Sequence, residues 1–461
     1  MNEICYLNMM PDEIIKYIIS LTESKVFDLC LVNKYFDNNC KIIKIVNNLN
    51  YPNLTNIMLK ELINLTFLDL SYNDKITDEG IKELINLTDL KLFCNLKITD
   101  KGLRGLIDLT NLNLCLNKMI TDEGIKPLIN LISLNLTNNI VITDKGIKGL
   151  TNLSSLNLCC NSVITDEGIK GSINLTSLNL ATNKRITDKG IKGLTNFISL
   201  DLTNNIVITD KGIKGLTNLT SLNLDNNNRI TNKGIKPLIN LTFINLSFNI
   251  IITDEGIKEL INLTSLNLVT NNRITNKGIK ELINLTSLDL RGNHIITSEG
   301  IKGLVNLTSL YLTYNDIITD EGIKELINLT SLDLHYNKII TDDGIKGLTN
   351  LMFLTLKNSE TITNDGLKEL TKLTSLNLSN NNKVKRLPNI PIFTLKNNKI
   401  ITDEGIKELT NLVSLNLSNN DIITDYGIKG LTNLTLLTLN DNKTITDQAI
   451  KNLTTLKNLI R

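Results

Sequence analysis

The chain runs to 461 residues, with 49 basic against 47 acidic side chains and a net charge of +2. So even a balance excludes a bulk field that would draw in nucleic acid or an anionic membrane surface. No apolar run nears the roughly 18–20 residues that span a bilayer, and Met1 to Met10 lack the basic-then-apolar order of a secretory signal; the expected setting is cytoplasmic or nuclear, not secreted.

The first predicted elements are helical. Met9-Met10-Pro11-Asp12-Glu13-Ile14-Ile15 opens with a proline and two acids, and apolar residues follow at Ile18 and Ile19. Proline and carboxylates in a first turn are helix-start signals. Ser24 caps a second short helix over residues 25–31, followed by Val32-Asn33-Lys34-Tyr35-Phe36. Residues 1–46 form a small all-α segment too short for a core of its own. Residues 47–64 then read as a degenerate first coil or cap, with Thr55, Leu59 and Leu62 in the places that Thr77, Ile81 and Leu84 occupy later.

From Leu65 to the C-terminus one phrase repeats: Leu-Thr-Ser-Leu-Asn-Leu-x-x-Asn-x-x-Ile-Thr-Asp-x-Gly-Ile-Lys-x-Leu-x-Asn. Its first leucine, or a substitute, recurs every 22 residues from Leu65 to Leu373, then at Ile390, Leu412 and Leu434. This predicts about eighteen copies over residues 65–461, one of them shortened near residues 373–389. Two prolines, Pro388 and Pro391, argue against a helix in that copy. The pattern is that of a leucine-rich repeat solenoid.

Within a copy, Leu285, Leu288 and Leu290 point inward from a strand while Ser287, Asp289 and Arg291 point out. Asn293 stands where its amide bonds to turning backbone, so stacked asparagines predict a buried ladder in which Ser359 is a weak rung. On the return path Thr77 or Asp78 caps a short amphipathic helix of about two turns. Aspartates 78, 122 and 144 and lysines 82, 126 and 148 form parallel stripes that are expected to pair with each other. The predicted fold is α/β: a curved horseshoe with a parallel concave sheet and short helices on the convex side.

Most outward strand positions are a uniform array of Ser and Asn. The copies from 285 to 351 differ, presenting Asp289, Arg291, Tyr311, Tyr314, Asp333, His335, Tyr336 and Lys357, with Phe353 nearby. Tyrosine and arginine concentrate binding energy, so this is the candidate surface for a protein substrate. A second, thiol-rich patch (Phe93, Cys94, Cys115, Leu116, Cys159, Cys160) has neither the histidines nor the spacing of a zinc site. The scattered cysteines imply reduced thiols. The two histidines, His294 and His335, have no nucleophile set beside them, and the glycines form no phosphate loop. No catalytic residue, metal or cofactor is expected. The recurrent Asn-Leu-Thr triplets match the glycosylation sequon but read as repeat grammar.

The N-terminal segment resembles the F-box, on Met10-Pro11-Asp12-Glu13-Ile14-Ile15, Ile18-Ile19-Ser20-Leu21 and Leu29-Cys30-Leu31-Val32-Asn33-Lys34-Tyr35-Phe36. Met10 and Phe36 depart from the leucine and tryptophan usual there. Together with the repeats, the chain is similar to F-box/leucine-rich-repeat proteins, though 22 residues is a shorter period than theirs. The resemblance implies a substrate-recognition adaptor of a Skp1–cullin–F-box ubiquitin ligase. Pro11, Ile14, Ile18, Leu29 and Val32 would dock on a Skp1-like adaptor and the concave sheet would hold the target. The rival expectation is a scaffold without a ubiquitin role, whose N-terminus only caps the array.

Overall fold

The structure is a computed structural model that describes residues 44–45, 54–60, 62–359, 361–380 and 401–461. Of the segment over residues 1–46, expected to be all helical, only Lys44 and Ile45 are described, and they form a strand; the five residues expected to dock on Skp1 lie outside the described residues. The chain divides into two compact units, Met1–Leu219 and Thr220–Arg461.

In the first unit the strands are β1 (Lys44–Ile45), β2 (Phe67–Asp69), β3 (Asp89–Lys91), β4 (Asn111–Asn113), β5 (Ser133–Asn135), β6 (Ser155–Asn157), β7 (Ser177–Asn179) and β8 (Ser199–Asp201). Each pairs in parallel with its sequence neighbour, from Ile45↔Leu68 to Asn179↔Asp201. The second unit holds β9 (Ser221–Asn223), β10 (Phe243–Asn245), β11 (Ser265–Asn267), β12 (Ser287–Asp289), β13 (Ser309–Tyr311), β14 (Ser331–Asp333), β15 (Phe353–Thr355), β16 (Ser375–Asn377), β17 (Ser414–Asn416), β18 (Leu436–Thr438) and β19 (Asn458–Ile460). These too pair in sequence order and in parallel.

Most coils bury six aliphatic side chains; in the coil of Leu285 they are Leu285, Leu288, Leu290, Ile296, Ile301 and Leu304. No coil can cover its own two flat sides, so burial is completed only by the coils stacked before and after it. The helices are shorter than expected. Ser298–Ile301 and its counterparts hold four residues, a single turn. The chain then closes in tight turns, with Leu304 N–H donating to Ile301 O and Leu307 N–H to Leu304 O. Among the described residues no helix is long and apolar enough to cross a membrane.

Four side-chain ladders tie coil to coil. Asn293 is fully buried, accepting the N–H of Ile296 at 3.0 Å and donating to Asn271 O of the preceding coil at 2.6 Å. Asn284 Nδ2 donates to Ile261 O at 2.9 Å, and Thr286 Oγ1 to Thr264 O at 3.1 Å. The sequon asparagines therefore use their amide nitrogen to bind the previous coil.

The fourth ladder corrects the reading of the two charge stripes. Asp78 does not serve its own helix alone: its carboxylate accepts the N–H of Thr99 at 2.7 Å and the Thr99 hydroxyl at 2.6 Å. Threonine is the cap, Thr99 Oγ1 accepting the N–H of Lys101. Where an acid follows the aspartate, the lysine pairs with that acid instead, as in Lys82–Glu79 at 2.8 Å and Lys324–Glu321 at 2.7 Å. Such exposed pairs add little stability. The repeat glycine follows from the same ladder. A Cβ on Gly102 would stand 2.6 Å from Asp78 Oδ1, so the position admits the preceding carboxylate only because it has no side chain.

The shortened copy is also corrected. Ser375 of β16 pairs directly with Ser414 of β17, leaving no place between them for a strand begun at Ile390. Thr402 N–H reaches Asn364 Oδ1 38 residues back, where regular coils reach 21 back. The array therefore contains one lengthened coil, with 17 extra residues between its strand and its helix, rather than one short coil.

Candidate functional site

The candidate residues fall on four consecutive coils of the Thr220–Arg461 unit, whose strands are β12 to β15. Register places Asp289 beside Tyr311 and Tyr311 beside Asp333. The structure assigns these residues different tasks, because the strand ends are turns. The last strand residue is usually Asn or Asp, and its side-chain oxygen accepts the N–H two residues on. Asn267 does this for Val269 at 3.0 Å and Asp289 for Arg291 at 3.1 Å.

Asp289 is accordingly nearly buried, at 9% exposure. Its carboxylate also takes Nε of Arg291 at 3.0 Å and Nη2 at 2.6 Å. That hydrogen-bonded carboxylate raises the Arg291 pKa further above its ordinary range. The guanidinium lies 5.9 Å from the centre of the Tyr311 ring. Asp333 is engaged as well, accepting from His335 N–H and from the Thr313 hydroxyl, both at 2.9 Å. The two aspartates thus shape the surface, whereas Arg291 and Tyr311 are presented by it.

Tyr314 and Tyr336 are not on strands. They occupy the third position after the strand, where the backbone of each described coil turns left-handed; their φ values are 55° and 54°. This turn sends the N–H of Tyr314 to His335 O and that of Tyr336 to Lys357 O, prolonging the inter-coil ladder past the strand. Their rings stack with centroids 4.6 Å apart and planes 13° apart, and His335 lies 4.5 Å from Tyr336. His335 Nε2 is buried and has no hydrogen-bond partner among the described residues. Desolvation, with Lys357 adding to it and Asp333 opposing, lowers the His335 pKa below its ordinary value. Phe353, half exposed, begins β15 opposite Ser331.

The structure therefore gathers Tyr314, His335 and Tyr336 into one aromatic cluster, with Lys357 acting electrostatically on His335, and Arg291 with Tyr311 into a second group. Gly292 and Thr313 are site residues that sequence reasoning missed. Gly292 holds the left-handed position between Thr270 and Tyr314 with φ of +59°. A glycine breaking a row of larger residues at 22-residue spacing was the available signal. Also missed was a row of half-exposed aliphatics where each coil passes from helix to strand: Ile239, Ile261, Ile283, Val305 and Ile327.

The thiol patch lies in the other unit. Cys160 Sγ is 2.8 Å from Thr182 Oγ1, and burial together with Cys160 pushes the Cys159 thiol up to about 11. Burial raises Cys115 too. Among the described residues no group of three or more His, Cys, Asp or Glu could hold a metal ion. His294 is paired, its Nδ1 2.9 Å from Asp316 Oδ1.

Leucine-rich repeat family models match residues 61–85, 149–171, 171–194, 215–239, 238–261, 259–283, 326–349 and 408–431 singly, and residues 283–325 as a two-copy unit. No curated protein matched the chain. Among solved structures the chain is similar to TLR13 in its complex with ssRNA13, at 22% identity and a TM-score of 0.56, covering 87% of this chain and 71% of that one. It is also similar to the Toll–Spatzle complex of Drosophila, at 18% identity and a TM-score of 0.49, covering 88% and 62%. At such identities the likeness concerns fold alone. Strand order, buried aliphatics, asparagine ladder and family-model matches agree: each unit of this chain is a leucine-rich-repeat solenoid.

Proposed function

We propose that the chain captures a protein on the strand face of its second unit and presents it, through the F-box-like N-terminus, to a Skp1–cullin ubiquitin ligase. A leucine-rich-repeat solenoid is a protein-interaction scaffold, because parallel stacking offers a long continuous surface. The observation that carries the capture site is the stacked Tyr314–Tyr336 pair with His335, set beside the Arg291–Tyr311 contact. Large rings that already stack on one another, on backbone tied to the next coil, lose little freedom on binding, and the Asp289–Arg291 pair leaves little net charge to repel a neutral partner. The ubiquitin-ligase role is supported by the order and spacing of Pro11, Ile14, Ile18, Leu29 and Val32 in the sequence. In this reading the chain binds rather than catalyses, and works in the cytoplasm or nucleus.

Co-purification with Skp1 tests the ligase role, comparing the native chain with a Pro11→Ala/Ile14→Asp variant. Native binding that the variant loses supports it. A native chain that does not bind Skp1 leaves a protein-capture scaffold. Capture itself is tested by replacing Tyr311, Tyr314 and Tyr336 with Ser, which should abolish partner labelling in a proximity experiment while the fold persists.

A further inference from the structure

We infer that the strand face holds a slot for one aromatic side chain of the partner protein, over Gly292 and against the ring of Tyr314; this rests on the protein-capture reading above. Thr270, Gly292, Tyr314 and Tyr336 occupy the same left-handed position in four successive coils. The N–H of Thr270 donates to Arg291 O and that of Gly292 to Thr313 O, so the row advances one coil at a time. Tyr314 and Tyr336, one coil apart, already stack at 4.6 Å, close to the spacing of neighbouring parallel strands. A ring placed one coil earlier would extend the stack by one member. Glycine leaves that place empty, and Tyr314 remains 56% exposed.

Backbone geometry does not account for the glycine. Tyrosine is accommodated at φ of 55° and 54° in the next two coils, and phenylalanine at 52° at Phe248. What Gly292 changes is the space above it. The far side is closed by the methyl of Thr270, whose carbon would lie 3.0 Å from a Cβ at 292. Beside the slot Arg291 is neutralised by Asp289, and the chain carries a net charge of only +2. Nothing there attracts a polyanion, so the favoured guest is an aromatic amino-acid side chain rather than a nucleobase.

The test uses the full chain labelled with 3-fluorotyrosine, the Tyr314 resonance being assigned by its loss in Tyr314→Phe. Titration with N-acetyltryptophanamide should shift that resonance saturably. Gly292→Tyr in a Thr270→Ala background, which removes the crowding methyl, should weaken the response at least tenfold, while Thr270→Ala alone retains it. A response undiminished by the tyrosine, or a stronger one to adenosine monophosphate than to the indole, would overturn the slot. Proximity labelling separates the two ideas. If Gly292→Tyr/Thr270→Ala labels the same partners that the triple Tyr→Ser variant loses, the slot is wrong and capture stands. If the triple variant also labels them, the capture reading falls with it.

Discussion

Thr341 closes both of its donors on one carboxylate of the preceding coil, its N–H on Asp320 Oδ1 at 2.8 Å and its hydroxyl on Asp320 Oδ2 at 2.6 Å. Replacing Asp320 with Ala strands both donors in a half-buried place, at a cost of about 1–3 kcal/mol. Asp320→Asn should cost less, because Asn276 serves Thr297 in the same manner, accepting its N–H at 2.9 Å and donating to its hydroxyl at 2.8 Å. Urea unfolding of the two variants checks the order; equal midpoints would show that the ladder contributes nothing specific.

The same ladder makes Gly102 sensitive. Gly102→Ala forces a methyl into the 2.6 Å approach of Asp78 Oδ1, an overpacking that costs about 1–3 kcal/mol. With Asp78→Ala already present, the added methyl should cost much less. A double-mutant cycle in thermal unfolding should return a coupling of about 0.5–3 kcal/mol between the two positions. Simple additivity would refute the steric account.

Ser359 stands where the preceding coils hold the buried asparagine, and its hydroxyl has no partner among the described residues. Its predecessor Asn337 makes the regular bond, donating to Asn315 O at 2.6 Å. Ser359→Asn restores the missing donor toward Asn337 O and should stabilise the protein by about 1 kcal/mol. A lowered melting temperature would mean that the local backbone has already relaxed around the serine.

Acid should weaken the aromatic cluster. His335 is held below its ordinary value of 6.5 by desolvation and by Lys357, against the weaker pull of Asp333. The unfolded chain therefore takes up the proton first as pH falls below about 6.5. The stabilising contribution is complete above that pH and is lost on passing down through the lower folded value. His335→Gln should flatten this part of the stability profile; stability curves of unchanged slope between pH 7.5 and 5 would contradict the assignment.

The period, the inward leucines and the asparagine ladder were legible because each follows from contacts that every coil repeats. Asp78 was misread because a carboxylate in a first helical turn has a familiar local use, and its second partner, Thr99, is 21 residues away. Tyr314 and Tyr336 were legible as exposed aromatics, but not as turn residues, since three-residue strands end before the alternation reveals it. Asp289 and Asp333 look like ligands in sequence; only the geometry shows their oxygens occupied by Arg291, His335 and Thr313. The lengthened coil was read as a short one because Ile390 supplies an apolar residue near the expected phase, whereas strand pairing skips it.

The link between Asn364 and Thr402 has a consequence for how such a chain can change. Each coil offers an acceptor forward and a donor backward, so the joint is indifferent to how much sequence lies between its halves. Whole coils can be duplicated or lost, and loops lengthened between strand and helix, with every remaining junction intact. The number of repeats is thus a freely adjustable dimension, and the row of left-handed turns is a series of addresses at which side chains can be exchanged without disturbing the joints beneath.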